Sequence, residues 1–161
     1  MARATEQKKS SSPDRVISIN RRASFNYELS DSYEAGLALI GSEARSLRER
    51  AADLTDAWGD IDSSSQAWVK GMRIPPMQHA AFGHEERRTR KLLLHAAQIA
   101  RLKAAVDRDG MTIVVTKCYF KQGRVKLEIR LAKGRKTHDK RHAIKDREMD
   151  REARQAMRRR G

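Results

Sequence analysis

Two apolar stretches in the last third of the chain constrain the fold most. Residues 111–120 read MTIVVTKCYF and residues 124–132 read RVKLEIRLA, with only a short polar segment between them. In the second stretch Val125, Leu127 and Ile129 alternate with charged residues, which is the period of a strand with one buried face. The spacing predicts an antiparallel hairpin. Such a hairpin needs further strands or helices to cover its apolar face.

The first part of the chain predicts a flexible arm followed by a strand. Residues 1–15 are rich in Lys, Ser and Gln, which is typical of a flexible basic arm. Residues 16–20 begin the ordered part, and apolar residues in 23–29 then alternate with polar ones, as in a half-buried strand. The polar residues 30–32 predict a turn after it.

A strand and a short helix are predicted next. Leu37 and Leu39 alternate with small residues, and Gly41 ends that strand. Ser42 is a residue type that caps helix N-termini, so we expect a short helix from there through Arg48.

The middle of the chain predicts two short strands. Apolar residues recur in 57–74 on both sides of the polar segment 62–65, which reads DSSS. This pattern is typical of two strands joined by a turn. Pro75 and Pro76 then end any strand, because proline cannot donate to a sheet ladder.

A longer helix is predicted after this region, with Thr89 as its cap and Gly110 at its end. On this assignment Arg88, Arg90 and Lys91 lie in its first turn and outside its apolar face. The helical spacing comes from Leu92, Ala96, Ile99, Leu102 and Val106.

These elements predict a mainly β fold with flanking helices. About six short strands in a small basic domain favour a small antiparallel β-barrel of the oligonucleotide-binding type, because closure removes most sheet edges. We expect a flexible basic arm at 1–15, an RNA-binding barrel domain at 16–132 and a basic tail at 133–161.

The tail is predicted to be disordered until it meets a partner. It holds twelve Lys and Arg against five Asp and Glu, half of the chain's formal net charge of +14. The tail has few apolar residues, so burying them would not offset the conformational entropy that the tail loses when it folds. Met149, Ala153 and Met157 nevertheless recur at helical spacing, which predicts a thin helix once phosphates neutralise the basic residues.

The excess of basic residues indicates a polyanionic partner. Charge alone leaves DNA, RNA, the ribosome and anionic lipid open. The single cysteine, Cys118, lies in an apolar run, which predicts a buried, inert thiol and fits a reducing cytoplasm. We find no targeting or membrane-spanning segment, and aromatic residues are too few for many base-stacking platforms, which favours folded RNA.

Enzymatic motifs are missing from the sequence. His79, His84, Glu85 and Glu86 cluster without a zinc-type motif, and His138 and His142 stand beside Asp139 in the tail, where nothing would exclude water. We find no phosphate loop and no nucleophile elbow. The sequence therefore predicts no catalytic residue, no metal and no cofactor.

Three segments resemble one known family. EAGLALIGSEARSLR (34–48), RTRKLLL (88–94) and AKGRKTHDKR (132–141) stand in the order and spacing of the small protein B family, the SsrA-binding proteins of bacterial trans-translation. The resemblance implies a barrel that binds the tRNA-like domain of transfer-messenger RNA and brings it to stalled 70S ribosomes. It implies contact with small ribosomal subunit RNA, indirect partnership with elongation factor Tu and alanyl-tRNA synthetase, and no membrane.

The resemblance also implies two sets of functional residues. Those expected to bind the tRNA-like domain are Asn20, Arg22, Glu34, Glu43, Arg45, Arg48, Arg88, Arg90, Lys91 and Leu93. Those expected in the decoding centre and message channel are Lys133, Gly134, Lys136, His138, Asp139, Lys140 and Arg141. Two alternatives stay open: Glu34 as a buried acid paired with Arg22 or Arg48, and Leu93 as a core residue.

Other functions also remain open at this point. A structural ribosomal or ribosome-assembly protein with a tail threaded through ribosomal RNA fits the same charge pattern, and a metal-dependent nuclease is a more distant alternative. Residues 75–87 depart from the family pattern, so we assign no RNA contacts there.

Overall fold

A computed structural model of the chain describes residues 15–77, 84–134 and 137–160, and within the last range the side chains of 147–158. Its strands are β1 (Arg15–Ile19), β2 (Tyr27–Leu37), β3 (Trp58–Ile61), β4 (Ala67–Lys70), β5 (Arg90–Leu93), β6 (Thr112–Lys121) and β7 (Arg124–Gly134). Its helices are α1 (Ala23–Asn26), α2 (Gly41–Glu49), α3 (Ala96–Asp109) and α4 (Thr137–Arg160).

The strands close into a barrel. Their order is β1-β6-β3-β4-β5-β2-β7, every pairing is antiparallel, and a further pairing of β6 with β7 completes the ring. Strand β1 adds to β6 outside this ring. The mainly β antiparallel barrel with flanking helices is therefore confirmed.

The predicted hairpin is present as β6 and β7. Its register runs from Thr112 opposite Ala132 to Lys121 opposite Arg124. The turn residues Gln122 and Gly123 have φ of 51° and 74°, as a two-residue hairpin turn requires. The β3–β4 hairpin is also where the sequence predicted it.

The barrel interior is apolar and excludes water. Leu127, Ile129 and Val115 are fully buried there, on the inward face that the alternation predicted. Cys118 is buried among them, and burial raises the pKa of its thiol to about 12. The thiol is therefore protonated at neutral pH, as expected for a buried cysteine.

Residues 23–32 differ from the prediction of a strand and a turn. Ala23–Asn26 form the one-turn helix α1, and β2 then runs through the predicted turn. A register shift between Leu29 and Ser32 marks a bulge, which accommodates the polar residues within the strand. Burial of Ala23 against β6 and β7 outweighs the local alternation.

The predicted start of the long helix is also wrong. Residues 90–93 form β5, between β2 and β4, and α3 begins at Ala96. The helix has His95 as its N-cap, and the backbone N–H of His95 donates to Gln98 Oε1 at 3.1 Å. Pairing on both sides places Leu92 in the core as a strand residue. The predicted end is right, because Gly110 is the left-handed C-cap.

Helix α2 lies where the sequence predicted it, with a different cap. Ile40 is the N-cap, and its backbone N–H donates to Glu43 Oε1 at 3.0 Å. Ser42, the predicted cap, instead lies with its Oγ 3.0 Å from His84 Nδ1. Helix α2 thus depends on a carboxylate that also makes other contacts.

The tail is helical as α4, and the middle of this helix contacts α1. Arg147 Nη2 donates to Ser24 Oγ at 3.4 Å, and its guanidinium lies 5.7 Å from the centre of the Phe25 ring. The predicted disorder of the free tail stays a prediction, as does the division of the chain into arm, barrel and tail. No described helix is long and apolar enough to cross a membrane.

The N-terminal arm lies almost wholly outside the described residues. Residues 1–14 are not described, whereas Arg15 belongs to β1 and not to an arm. Its Nη2 donates to the carbonyl oxygen of Arg48 at 2.9 Å, which ties β1 to the end of α2.

Two glycines with positive φ differ in how much space surrounds them. A Cβ on Gly71 (φ 76°) would lie 2.2 Å from the carbonyl oxygen of Asp56, whereas a Cβ on Gly110 (φ 63°) would meet nothing within 4 Å. We expect Gly110→Ala to lower the free energy of unfolding by about 1 kcal/mol. Gly71→Ala should lower it by about 2 kcal/mol more, because backbone must also move. Urea denaturation measures both, and equal losses would contradict the packing described here.

Candidate RNA-binding surface

A fully buried ion pair joins α2 to β5. Glu43 and Arg90 both have side chains with no solvent exposure, and Arg90 Nε donates to Glu43 Oε2. Buried charges are tolerated only when they are paired and hydrogen-bonded. This pair therefore needs the surrounding acceptors and donors to be in place.

Arg90 uses every N–H donor that a guanidinium offers. Its remaining four hydrogen bonds go to backbone carbonyl oxygens of Met72 (2.8 Å), Arg88 (3.0 Å), Glu86 (3.1 Å) and Glu85 (3.4 Å). These carbonyls lie just after β4 and just before β5. Arg90 thus holds both segments against α2.

Glu43 binds a second arginine. Its Oε1 accepts from Arg88 Nη2 at 2.5 Å as well as from the backbone of Ile40. Burial raises the pKa of Glu43, but the hydrogen bonds from Arg88, Ile40 and Arg90 outweigh it and leave that pKa below its ordinary value. The carboxylate is charged, so the cluster of Glu43, Arg88 and Arg90 carries a net charge of +1.

The resemblance placed Glu43 and Arg90 among the RNA-contacting residues, and the structure corrects both assignments. Each side chain is enclosed by protein and inaccessible to a partner. The sequence suggested an exposed Arg90 because it stands in a run of basic residues, and such runs are usually exposed. Arg88 differs from Glu43 and Arg90, because its side chain is 35% exposed.

An open groove of about 1190 Å³ lies beside this cluster. We call it the cation groove. Four of the predicted residues line it together, namely Glu34, Arg48, Lys91 and Leu93. They come from β2, α2 and β5, so only the folded barrel brings them into one surface.

Leu93 is an exposed apolar residue of the cation groove. Its side chain is 54% exposed, so the alternative that it is a core residue is wrong. It lies opposite Gly36 of β2, where a Cβ would come within 3.1 Å of the Leu93 Cβ. Because Gly36 has no side chain, Leu93 and the Gly36 backbone form a flat apolar surface here, which we call the apolar shelf.

Cations border that shelf. Lys91 neighbours Leu93 on β5, and Arg48 lies at the end of α2; both are exposed. Arg124 and Lys126 of β7 face them across the groove. Such a border suits phosphate groups, while the apolar shelf suits a base or ribose.

Glu34 contributes a carboxylate to the same groove. Its Oε2 accepts from the Tyr119 hydroxyl at 2.5 Å and from Lys121 Nζ at 3.1 Å. The alternative of a buried acid paired with Arg22 or Arg48 is wrong, because the partner is Lys121 and the Glu34 side chain is 41% exposed. Desolvation raises the pKa of Glu34, but the Tyr119 and Lys121 hydrogen bonds leave it below the ordinary value.

Other predicted residues lie outside the cation groove. Asn20 Nδ2 donates to the carbonyl oxygens of Leu54 and Val115, both at 3.1 Å, so this amide holds β1 to the barrel. Arg22 is exposed at the start of α1, and Arg45 is exposed on α2. Their predicted RNA contacts stay predictions.

The predicted tail residues are only partly described. Lys133 and Gly134 are exposed at the end of β7. His138, Asp139, Lys140 and Arg141 belong to α4, but their side chains lie outside the described residues, as does Lys136 altogether.

Sequence reasoning missed several residues of the groove. Gly36, His95, Phe120, Arg124 and Lys126 line it, and none was predicted. The β7 alternation did place Lys126 on an outward face. The missing information was the pairing of Gly36 with Lys126, which joins strands far apart in sequence.

The metal candidates gain no support. Within the described part of the chain, no group of three or more His, Cys, Asp or Glu could hold a metal ion. His84 instead lies with its Nε2 2.9 Å from the carbonyl oxygen of Ile74. His79 and the side chains of His138, Asp139 and His142 lie outside the described residues.

Comparison with known proteins decides the family. The family model described as SmpB protein matches residues 17–159, which is most of the chain. The chain belongs to the SmpB family. SmpB proteins are an RNA-binding family and not enzymes.

Individual SmpB relatives match over nearly their whole length. The SsrA-binding protein of Azorhizobium caulinodans is 44% identical over 158 residues, covering 97% of this chain and 98% of the relative. That of Sorangium cellulosum is 47% identical over 139 residues, covering 86% and 85%.

A solved SmpB structure shares the fold. A chain from the work described as "tmRNA-SmpB: a journey to the center of the bacterial ribosome" superposes with a TM-score of 0.65 at 35% identity. The match covers 80% of this chain and 94% of that one.

The hydrogen bond from the Tyr119 hydroxyl helps to hold the pKa of Glu34 below its ordinary value. We expect Tyr119→Phe to raise the pKa of Glu34 toward its ordinary value of 4.5, since a donor to the charged form is lost. Because the pKa of Glu34 is lower in the folded chain than in the unfolded chain, its charged form stabilises the fold above pH 4.5. This stabilisation is lost as the pH falls through the folded-state pKa of Glu34. The variant should therefore lose less stability on acidification.

Carboxyl NMR titration measures this pKa directly. Tyr33→Phe is the matched control, because Tyr33 precedes Glu34 on β2 but packs against the core. An unchanged Glu34 pKa in Tyr119→Phe would contradict the assignment.

Proposed function

We propose that this chain binds the tRNA-like domain of transfer-messenger RNA and delivers it to stalled ribosomes in trans-translation. The observation that carries the proposal is the cation groove, where the fold gathers Glu34, Arg48, Lys91 and Leu93 from three elements. Family membership supports it, since the relatives are named SsrA-binding proteins.

The chemistry of the groove favours folded RNA. Exposed Arg and Lys side chains neutralise phosphates on adjacent strands, while Leu93 offers an apolar surface of limited extent. Glu34 accepts hydrogen bonds only, so it selects ribose hydroxyls or base amino groups over phosphates. Together these groups suit an RNA elbow with exposed bases and sugars.

We propose a separate function for the tail. As a 24-residue helix α4 would extend about 36 Å, and its described side chains are exposed. Its basic residues suit the phosphates that line an empty message channel. Gly134, His138, Asp139, Lys140 and Arg141 are the proposed decoding-centre contacts, with Lys133 and Lys136 beside them.

Finer partners belong to the same proposal. Small ribosomal subunit RNA would contact the tail, and elongation factor Tu and alanyl-tRNA synthetase would act on the bound RNA without a site of their own in this chain. The proposed place of action is the cytoplasm. A structural ribosomal protein is the rival function, and it predicts stoichiometric presence on salt-washed ribosomes instead of enrichment of one tRNA-like RNA.

Substitutions in the groove test the RNA-binding proposal. Lys91→Ala should weaken binding to the tRNA-like RNA and reduce the slope of log Kd against log salt by about 0.7–0.9, because one phosphate contact is lost. Leu93→Ala should weaken binding with an unchanged slope, because it removes an apolar contact. Fluorescence anisotropy over a salt series measures both.

Lys70→Ala is the matched control. Lys70 lies on β4 beside Trp58 and pairs with Asp60, outside the groove. Equal losses for Lys70→Ala and Lys91→Ala would show general charge attraction and contradict the groove.

Truncation after Gly134 tests the separate function of the tail. The last strand ends at Gly134, so removing residues 135–161 leaves the barrel pairings intact. We expect RNA affinity within about twofold of the full chain, with peptide tagging on stalled ribosomes abolished. A matched loss of both activities would contradict the division.

A further inference from the structure

The buried pair joins the two elements that carry the nearest groove cations. On β5 the side chains alternate, so that Arg90 and Leu92 point inward while Lys91 and Leu93 are exposed in the groove. On α2, Glu43 is buried and Arg48 is exposed. The ion pair between the inward side chains of Glu43 and Arg90 therefore also fixes the positions of Arg48 and Lys91 on the outer faces.

The buried Leu47 and a hydrogen bond from Ser46 Oγ to the carbonyl oxygen of Pro75 also hold α2 on the barrel. Among the described residues, however, the only hydrogen bond from α2 to β5 is the one that Glu43 accepts from Arg90. Because a buried carboxylate cannot shift without leaving a charge unpaired, these bonds restrict the helix to one position.

Glu43 also holds a second arginine, Arg88, which is not among the residues that line the cation groove. Glu43 and Arg90 balance one another in charge, so the second guanidinium on the carboxylate is the surplus positive charge of the cluster. Arg88 is partly exposed, and its Nη2 is held at 2.5 Å from Glu43 Oε1. Glu43 thus holds Arg88 directly, and it acts on the groove cations Arg48 and Lys91 through α2 and β5.

We propose that Glu43 is a positioning residue for RNA recognition: through Arg90 and Arg88 it sets the spacing of the groove cations and does not touch the RNA. This inference rests on the proposed RNA-binding function and assigns Glu43 and Arg90 a role other than direct contact. It requires the fork of Arg90, since one ammonium group cannot replace five donors in a fixed plane.

Two variants separate positioning from charge. Glu43→Gln makes the protein more positive, so general electrostatics would tighten RNA binding, whereas loss of positioning would weaken it. Arg90→Lys keeps the net charge and loses the fork. We expect each variant to bind the tRNA-like RNA about tenfold more weakly, with the salt slope unchanged, because no phosphate contact is removed.

A stability control excludes general loosening of the fold. Leu131 is a buried core residue of β7 that does not line the groove, so Leu131→Ala should destabilise the barrel without changing the affinity of the folded protein. Anisotropy is measured on all full-length variants at a temperature where circular dichroism shows them folded. Should Arg90→Lys not fold, Glu43→Gln carries the test by the sign of its effect.

The outcomes distinguish the two proposals. Unchanged or tighter binding by Glu43→Gln overturns positioning while leaving RNA binding intact. Weakening equal to that of Leu131→Ala at matched melting temperature overturns it as well, because stability alone would then explain the loss. If the wild-type chain does not bind the tRNA-like RNA, the proposed function fails and this inference fails with it.

Discussion

The buried pair of Glu43 and Arg90 is the interaction on which the proposed geometry of the cation groove depends. A buried ion pair adds little net stability, since desolvation offsets most of the attraction, but removing one partner costs about 3–5 kcal/mol. Its contribution is therefore mainly to geometry. Here it fixes one short helix against one short strand, and both carry exposed cations that line the same groove.

The barrel supplies the rigid support for this arrangement. Closure through the β6–β7 pairing leaves a core with Leu127 and Ile129 fully buried, and it brings β2 between β5 and β7. Gly36 of β2 thereby pairs with Leu93 on one side and with Lys126 on the other, and Glu34 lies two residues before it on the same strand. The groove gains an apolar shelf, cations and one carboxylate from residues far apart in sequence.

The sequence predicted the features that local periodicity determines. Alternation in residues 124–132 gave the hairpin, and Gly110 gave the end of α3. Periodicity misassigned residues 90–93, because Leu92 stands four positions before Ala96 as it would in a helix, while its pairing partners lie in distant strands. For the same reason Arg90 looked like a surface cation: its buried partner, Glu43, is 47 residues away. The family resemblance named Glu34, Lys91 and Leu93, which line the groove, but it did not name Gly36 or Lys126.

Hydroxyl-radical footprinting with mass spectrometry measures whether RNA covers the cation groove beside Glu43 and Arg90. Leu93 is 54% exposed inside the groove, and Trp58 is 42% exposed outside it, so each is accessible in the free protein. On addition of the tRNA-like RNA, oxidation of Leu93 should fall strongly while oxidation of Trp58 stays unchanged. Protection of Trp58 with Leu93 still fully oxidised would show that the RNA binds outside the cation groove.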